Sequence, residues 1–377
     1  MTFTATSTLK DGQYSLTASI GQGIFSKTYQ GIECKSEQPV IIKTLGKSLV
    51  THPNFEEFKD KFLQLAQRFR TCRHENLVSL LDVFVENGQP YIVYEFITGQ
   101  DLATLIKKTG SPSPQKAEQY IQQIGRAIEV IHYANLQHLD IKPENIILQD
   151  KTDKVILVDY GLTCQLTPEI CQTHCSLASS GCAPIEHYLP EVSSSTATDI
   201  YSLAATLFNL ITGKEITVAP LRANKTVPKE LRNSFKKDIR ALKLDPALKK
   251  AIFKGLAIKA QERPQNIQEW LELLLQVQVH KKERIVLSSN SSQRHKNFNG
   301  TNKSNKNRKI KVKLAKKAKY QYPFKALLMT STAAAFVGLG FGLAIRLNRP
   351  EEAGSSIFHT EQSFPERSNW KVEDHKD

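Results

Sequence analysis

A short stretch near the middle of the chain groups the residue types that metal-assisted phosphoryl transfer needs. Residues 138–145 read His-Leu-Asp-Ile-Lys-Pro-Glu-Asn, which brings Asp140, Lys142 and Asn145 close together. Asp159 follows at the end of a β-rich run and precedes Tyr-Gly. Carboxylates and an amide can hold divalent cations, and cations placed beforehand stabilise the charge that develops on phosphoryl oxygens. The spacing therefore predicts a phosphoryl-transfer site.

The elements that must position this site fall into two groups along the chain. From Tyr14 to about Tyr94, short β-rich runs surround the stretch Phe55–Arg70, where apolar residues recur at spacings of three and four. After Gly99 three longer stretches have the pattern of helices. They are 115–132, 198–211 and 267–277. The pattern predicts a small sheet that carries one helix, followed by a mostly helical lobe.

From about Tyr14 to Val277 the order of motifs resembles a serine/threonine protein kinase of the bacterial, eukaryotic-like type. The resemblance implies an α+β, bilobal kinase domain at 14–277, with a β-rich N-lobe at 14–95 and a mostly helical C-lobe at 99–277. It also implies ATP with Mg²⁺ or Mn²⁺ as cofactors and protein hydroxyls as acceptors. Lys142 lies two residues after Asp140, and a lysine at this position is the pattern of serine/threonine kinases.

Two N-lobe motifs resemble the phosphate-binding parts of that family. Residues 21–26 read Gly-Gln-Gly-Ile-Phe-Ser and resemble the Gly-rich loop, in which Gly21 and Gly23 would let backbone amides approach the phosphates. Ser26 replaces the usual third glycine. Lys43 ends the run Val-Ile-Ile-Lys, where the family has the lysine that pairs with the α- and β-phosphates.

The stretch Tyr94–Ile97 resembles the hinge between the two lobes. Backbone groups of Glu95 and Ile97 would bind the adenine edge, and Tyr94 would stand behind it as gatekeeper. Asp101 falls at a position that often contacts ribose. Ile41 stands where the family usually has alanine, which predicts a bulkier ceiling over the adenine ring.

The resemblance also gives roles to the residues of the predicted transfer site. Asp140 would take the proton of the substrate hydroxyl, and Lys142 would contact the γ-phosphate. Asn145 would hold one metal ion, and Asp159 would hold the metal that bridges the β- and γ-phosphates.

Three further charged residues receive structural roles from the resemblance. Glu186 is expected to pair with Arg263, and Asp199 is expected to brace the backbone of the catalytic loop.

Two further positions depart from the family pattern. The helix Phe55–Arg70 should supply a glutamate to pair with Lys43, but Leu65 stands at that position and cannot accept an ion pair. Leu139 replaces the arginine that often receives an activation-loop phosphate. Leu65, together with Ile41 and Ser26, leaves a second interpretation open, a pseudokinase or weakly active nucleotide-binding scaffold. Both acids of the predicted site remain, which favours the enzyme.

A group of metal-ligating and oxidisable residues lies between positions 164 and 182. Its members are Cys164, Cys171, His174, Cys175 and Cys182. The group could bind zinc or form a redox switch. The spacing lacks a close Cys-x-x-Cys pair, and free cysteines in cytosolic loops more often have neither role.

The basic charge of the chain is confined to one segment. The formal net charge is +14, and residues 281–325 contain fifteen Lys or Arg against one acid, so the remainder is balanced. A globally basic chain would suggest nucleic acid as a partner. The local charge, in a stretch with few apolar residues, instead predicts a flexible juxtamembrane linker that binds anionic lipid, with nucleic acid as the less favoured partner.

An uncharged segment of twenty residues, 326–345, follows the basic linker. At about 1.5 Å per residue it would reach roughly 30 Å, the thickness of a bilayer core. It predicts a C-terminal single transmembrane helix, against the alternative of a buried core helix. The excess of basic residues before it predicts a cytoplasmic kinase domain and a short extracytoplasmic tail at 346–377. Small residues at four-residue spacing would allow a homodimer through this helix.

Overall fold

The computed structural model describes residues 8–178, 181–189 and 191–274. Its first part is a six-stranded sheet in which every neighbouring pair is antiparallel, with the order β1-β2-β3-β4-β6-β5. The strands are β1 (Thr8–Leu9), β2 (Tyr14–Gln22), β3 (Ser26–Glu33), β4 (Gln38–Leu45), β5 (Leu80–Glu86) and β6 (Gln89–Glu95).

Two helices connect β4 to β5, the short α1 (Lys47–Val50) and the longer α2 (Phe55–Arg70). The bounds of α2 confirm the helix predicted from the spacing of its apolar residues. The buried face of α2 consists of Phe58, Phe62, Leu65, Ala66 and Phe69. These residues recur at intervals of three and four, so one side of the helix packs into the core.

Polar side chains of α2 bind the other part of the molecule. Lys61 Nζ donates a hydrogen bond to the carbonyl oxygen of Leu166 at 2.6 Å. One turn from the end of the helix, Arg68 donates to the carbonyl oxygens of Ala134 and Asn135 at 3.2 and 3.0 Å. The helix packs on the sheet through apolar contacts and one hydrogen bond, from Arg70 Nη2 to the carbonyl oxygen of Leu81 at 2.8 Å, and is attached to the second part by the bonds of Lys61 and Arg68.

The second part combines a small sheet with helices. Its strands, in the order β7-β8-β9, are β7 (Gly99–Asp101), β8 (Ile146–Gln149) and β9 (Val155–Leu157). Its helices are α3 (Leu102–Thr109), α4 (Pro114–Tyr133), α5 (Pro168–Ala178), α6 (Thr196–Thr212), α7 (Ala219–Ala223), α8 (Lys229–Arg232), α9 (Ser234–Ala241), α10 (Pro246–Gly255) and a last helix described over 267–274. Short 3₁₀ turns lie at Pro143–Asn145, Leu162–Gln165, Ile185–Tyr188 and Ala260–Glu262.

Helix α6 is the centre of this second part. It begins at a capping box, in which Ser195 and Thr198 satisfy each other's backbone N–H groups. It ends at Gly213, whose φ of 67° favours glycine. Most of its side chains are buried on all sides, which is typical of a helix enclosed by others.

The helices predicted at 115–132 and 198–211 correspond to α4 and α6, with ends that differ by one or two residues. Within the described residues, no helix is long and apolar enough to cross a membrane. The predicted linker 281–325, membrane helix 326–345 and tail 346–377 lie outside the described residues, as does the end of the predicted helix 267–277.

Candidate active site

A pocket lies between the six-stranded sheet and the strand β9 with the residues that follow it. Its lining is Thr28, Ile41, Lys43, Val78, Tyr94, Glu95, Ile97, Val158 and Asp159. Most of this lining is apolar, while Lys43 and Asp159 bring opposite charges. Such a pocket fits a flat apolar ring with a charged group attached. Of the predicted nucleotide-binding residues, Lys43, Glu95 and Ile97 line it.

Two of the three charged side chains of the pocket, Lys43 and Asp159, neutralise each other. The Lys43 ammonium forms an ion pair with Asp159 Oδ2, and both side chains are buried. Burial acts to raise the pKa of Asp159, but the neighbouring ammonium outweighs it and holds the pKa below its ordinary value. Leu65, at the position predicted to lack the glutamate, is buried in the apolar core. The partner of Lys43 is therefore a carboxylate from the second part of the molecule.

Lys142 and Asn145, in the stretch 138–145, both contact the carboxylate of Asp140. Lys142 Nζ lies 3.0 Å from Asp140 Oδ1, and Asn145 Nδ2 donates to Asp140 Oδ2 at 2.9 Å. Burial acts to raise the pKa of Asp140, but the Lys142 ammonium outweighs it, so the pKa falls below its ordinary value. Asp140 is consequently a carboxylate at neutral pH and can accept a proton.

One amide and one carboxylate oxygen at this site, Asn145 Oδ1 and Asp159 Oδ1, are buried and have no hydrogen-bond partner among the described residues. The segments that carry them are joined, because the backbone N–H of Val158 donates to the carbonyl of Asn145 at 2.8 Å. An unsatisfied buried oxygen costs free energy unless a donor or cation reaches it. Amide and carboxylate oxygens are the ligands that Mg²⁺ and Mn²⁺ prefer, so these residues fit a divalent cation.

The loop that carries Asp140 is held by Asp199 at the start of α6. The backbone N–H groups of His138 and Leu139 donate to Asp199 Oδ2 and Oδ1, both at 2.9 Å, and His132 Nε2 lies 2.9 Å from Oδ2. Leu139 has a φ of 65°, a conformation rare for a non-glycine residue. The bonds to Asp199 hold the loop in this conformation and confirm the bracing role predicted for Asp199.

The predicted pair of Glu186 and Arg263 is also confirmed. Arg263 Nη1 and Nη2 donate to the two carboxylate oxygens of Glu186 at 2.6 and 3.0 Å, and both side chains are almost fully buried. Thr198 Oγ1 donates to the same carboxylate at 2.9 Å. The bidentate geometry joins the 3₁₀ turn Ile185–Tyr188 to α6 and to the end of the domain.

Tyr160 connects the site to α2 and to the back of the pocket. Its ring centroid lies 4.7 Å from that of Phe69 and 5.9 Å from that of Tyr94, and its hydroxyl donates to the carbonyl oxygen of Val78. Gly161 follows at a φ of 52°, where an added Cβ would stand 2.3 Å from the carbonyl oxygen of His138. Glycine is therefore required after Tyr160.

Three of the predicted nucleotide-binding residues do not line the pocket. Gly21 pairs with Thr28 in the β2–β3 ladder, and the N–H of Gly23 donates to the carbonyl of Ser26 at 2.9 Å. Asp101 caps α3, since its Oδ1 accepts from the N–H of Thr104 at 2.8 Å. One carboxylate oxygen of Asp101, the residue predicted to contact ribose, therefore already accepts a hydrogen bond at the start of α3.

Helix α5 lies beside Asp140 and Lys142, in a segment for which no helix was predicted. His174 and Cys175 of α5 line a small pocket together with Asp140 and Lys142, and the Asp140 side chain is only 14% exposed. The ring of His174 also lies 6.4 Å from that of Phe25 in the β2–β3 turn. Helix α5 therefore narrows the access of a protein hydroxyl to Asp140.

The predicted group of four cysteines and His174 is only partly brought together. His174 Nδ1 lies 3.5 Å from the sulfur of Cys164. Cys171 and Cys175 of α5 lie beside Cys164 and beside His187, a residue that the sequence did not single out. Cys182 instead has its sulfur 3.9 Å from Thr206 Oγ1. The spacing of the cysteines does not indicate His187, because this residue lies beyond the cysteine group, in the next 3₁₀ turn.

Comparison with known proteins is consistent with this geometry. The family model described as the protein kinase domain matches residues 14–298. A probable serine/threonine-protein kinase of Clostridium acetobutylicum is 29% identical over 284 residues, which are 72% of this chain and 40% of that protein. Serine/threonine-protein kinase PknE of Mycobacterium bovis is 28% identical over 228 residues, 58% of this chain and 39% of PknE. The chain thus spans about two fifths of the length of these curated relatives.

Solved structures show the same arrangement of two lobes. The apo form of PpkA-294 has a TM-score of 0.54 at 26% identity, covering 70% of this chain and 96% of that one. Rad53 residues 1–466 with AMP-PNP has a TM-score of 0.53 at 20% identity, covering 69% and 64%, and shows a likeness of fold alone. The β-sheet lobe and the helical lobe described above are those of this bilobal fold.

Proposed function

Because this chain belongs to the protein kinase family, we propose that it transfers the γ-phosphate of ATP to serine or threonine hydroxyls of proteins. The proposal depends on one observation: Lys142 and Asn145 both contact the ionised carboxylate of Asp140, and Asp159 lies in the adjoining pocket. The curated relatives named serine/threonine-protein kinases support the same activity.

In the proposed reaction Asp140 takes the proton of the acceptor hydroxyl, because its ionised carboxylate lies beside Lys142, which contacts the phosphoryl group. Lys142 contacts the transferring phosphoryl group and offsets its charge. Asn145 and Asp159 hold Mg²⁺ or Mn²⁺ through their unpartnered oxygens. The cation supplies charge neutralisation for the phosphates.

The nucleotide is proposed to bind with its adenine ring between Ile41 and Val158 of the pocket. Backbone groups of Glu95 and Ile97 contact the adenine edge. Lys43 contacts the α- and β-phosphates, which requires it to loosen its pair with Asp159.

The remaining nucleotide contacts come from residues outside the pocket lining. Gly21 and Gly23 let the β2–β3 turn approach the phosphates. Asp101 reaches the ribose with the carboxylate oxygen that does not cap α3.

A pseudokinase or nucleotide-binding scaffold is the second candidate function. Two observations favour it: Leu65 leaves Lys43 without a carboxylate from α2 at that position, and α5 lies beside Asp140. A scaffold would bind ATP but would not transfer phosphate. The two candidates therefore differ in turnover rather than in nucleotide affinity.

The deciding experiment incubates the purified full-length chain with labelled ATP, Mg²⁺ and a generic protein substrate. Asp140→Asn should reduce transfer by about 10²-fold or more while ATP binding persists, because the proton acceptor is lost. Asp153→Asn is the matched control, since that carboxylate is 79% exposed and lies outside the site. Equal transfer by the Asp140→Asn variant and the unaltered chain would overturn the enzyme and leave the scaffold.

We further propose that residues 326–345 anchor the chain as a single-pass membrane protein whose kinase domain, at 14–277, is cytoplasmic. The uncharged length of the segment and the basic residues before it support this. In this arrangement the linker 281–325 binds anionic lipid headgroups, and the membrane helices pair to give a homodimer. Release of the full-length chain from membranes by high salt without detergent would contradict the anchor.

A further inference from the structure

A compact group of buried sulfur and nitrogen atoms joins helix α5 to the following 3₁₀ turn. Candidate ligand atoms of Cys171, Cys175 and His187 all lie within 4.8 Å of one another, and all three residues are buried. Cys175 Sγ is 3.6 Å from His187 Nδ1, and the other ring nitrogen of His187, Nε2, is buried without a hydrogen-bond partner. The thiol of Cys164 contacts that of Cys171 from the preceding 3₁₀ turn.

Local structure explains why these residues meet. Cys171 and Cys175 are four positions apart on α5, so both sulfurs project from the same face of the helix. Cys164 belongs to the 3₁₀ turn before α5, and His187 belongs to the one after it. Three consecutive elements therefore supply side chains to one point. All three cysteines are free thiols.

We propose that Cys164, Cys171, Cys175 and His187 form a structural zinc site. Three thiolates and one imidazole are a ligand set that Zn²⁺ favours, and structural zinc sites are four-coordinate and closed to solvent. With Zn–S distances of about 2.3 Å, tetrahedral ligand atoms lie about 3.8 Å apart. The candidate ligand atoms of Cys171, Cys175 and His187 need only a small contraction to reach this geometry. Cys164 Sγ contacts Cys171 but also lies 3.5 Å from His174 Nδ1, so it must turn away from His174 to become the fourth ligand. Binding displaces the thiol protons to solvent, and no redox step is involved.

The site would have a definite structural effect. It would fasten α5 to the turns on either side, to which α5 is already joined by the bond from Gln172 Nε2 to the carbonyl of Tyr188 at 3.0 Å and the bond from the Tyr188 hydroxyl to the carbonyl of Cys175 at 3.4 Å. Since α5 lies beside Asp140, a bound zinc ion would fix the segment that narrows access to Asp140 and Lys142. This inference concerns binding of a metal and does not depend on the proposed phosphoryl transfer.

The test measures zinc in the purified full-length chain, handled with a phosphine reductant so that thiols stay reduced. We expect about one zinc per chain after dialysis, and about tenfold or weaker affinity after Cys171→Ser or Cys175→Ser. Cys182→Ser is the matched control from the same segment, because its thiol contacts Thr206 instead. Zinc below about a tenth of an equivalent, both as purified and after reloading, would overturn the site.

A second measurement covers variants that fail to fold. The unaltered chain, stripped of zinc and loaded with Co²⁺, should develop thiolate-to-cobalt charge-transfer absorption together with the visible bands of tetrahedral cobalt. Octahedral bands without charge transfer would overturn the site even if zinc were retained elsewhere. Unchanged affinity after Cys164→Ser would overturn the assignment of the fourth ligand.

Discussion

The Lys43 ammonium and the Asp159 carboxylate form an ion pair whose side chains are only 8% and 6% exposed. In the protein kinase family the lysine is expected to pair with a glutamate of the helix that is α2 here, and Leu65 occupies that position. One carboxylate thus serves as the partner of Lys43 and as a proposed metal ligand. Cation binding and the position of Lys43 are coupled through it.

The first prediction concerns the stability of this pair. Lys43→Met leaves Asp159 buried and uncompensated, so we expect the free energy of unfolding to fall by about 3–5 kcal/mol. Adding Asp159→Asn removes the uncompensated charge, and the double variant should be at least about 1 kcal/mol more stable than the sum of the single effects implies. Urea unfolding measures both. Strict additivity would show that the two side chains do not interact.

The second prediction compares two ion pairs that differ in burial. Arg263→Ala leaves the buried Glu186 carboxylate without its counter-ion, and we expect a loss of about 3–5 kcal/mol. Lys259→Ala breaks an exposed pair with Glu262 at 4.0 Å and should cost less than about 1 kcal/mol. Unfolding midpoints of the two variants give the comparison. Similar losses in both would contradict it.

The third prediction concerns acid stability. The pKa of Asp199 is lowered, because the bonds from His132 and the loop backbone outweigh the effect of burial. A lowered folded-state pKa means that the unfolded chain binds more protons, so the stabilisation is full above pH about 4 and is lost as pH falls through the folded-state pKa. Asp199→Asn should flatten the pH dependence of unfolding below pH about 4 by up to about 1.4 kcal/mol per pH unit. Parallel curves for the two proteins would refute the assignment.

The fourth prediction separates backbone strain from collision. Gly161→Ala adds a Cβ only 2.3 Å from a backbone oxygen at a φ of 52°, whereas Gly88→Ala meets open space at a φ of 75°. The control should cost about 1 kcal/mol from its φ alone. Gly161→Ala should cost several times as much and should reduce phosphoryl transfer, because it displaces the loop that carries Asp140. Thermal unfolding and the kinase assay measure these effects.

The sequence predicted those parts of the fold and site that depend on local pattern or on family motifs. The bounds of α2 followed from phenylalanines on one helical face, and the roles of Asp199 and Glu186 followed from their motifs. The partner of Lys43 could not be predicted this way. Asp159 is 116 residues further along the chain, and only the packing of the two lobes brings it to the lysine.

The helix α5 was missed for a different physical reason. Its residues have no strong apolar face, so periodicity gave no signal there, and its buried side chains include Ile170 and two cysteines that pack against neighbouring turns. His187 belongs to a separate turn, and its distance from Cys175 depends on how the segment folds back. The proximity of these groups is a tertiary property that spacing alone does not contain.

The polar contacts of α2 differ between the helical lobe and the sheet. Lys61 and Arg68 hold the helix to carbonyl groups of the helical lobe, at fixed distances and angles. Against the sheet the helix has apolar contacts, which are non-directional, and one hydrogen bond, from Arg70 Nη2 to the carbonyl oxygen of Leu81 at 2.8 Å. Among the described residues, the side chains of α2 thus donate three hydrogen bonds to the helical lobe and one to the sheet. Movement of the sheet relative to α2 would therefore break fewer directional bonds than movement of α2 relative to the helical lobe.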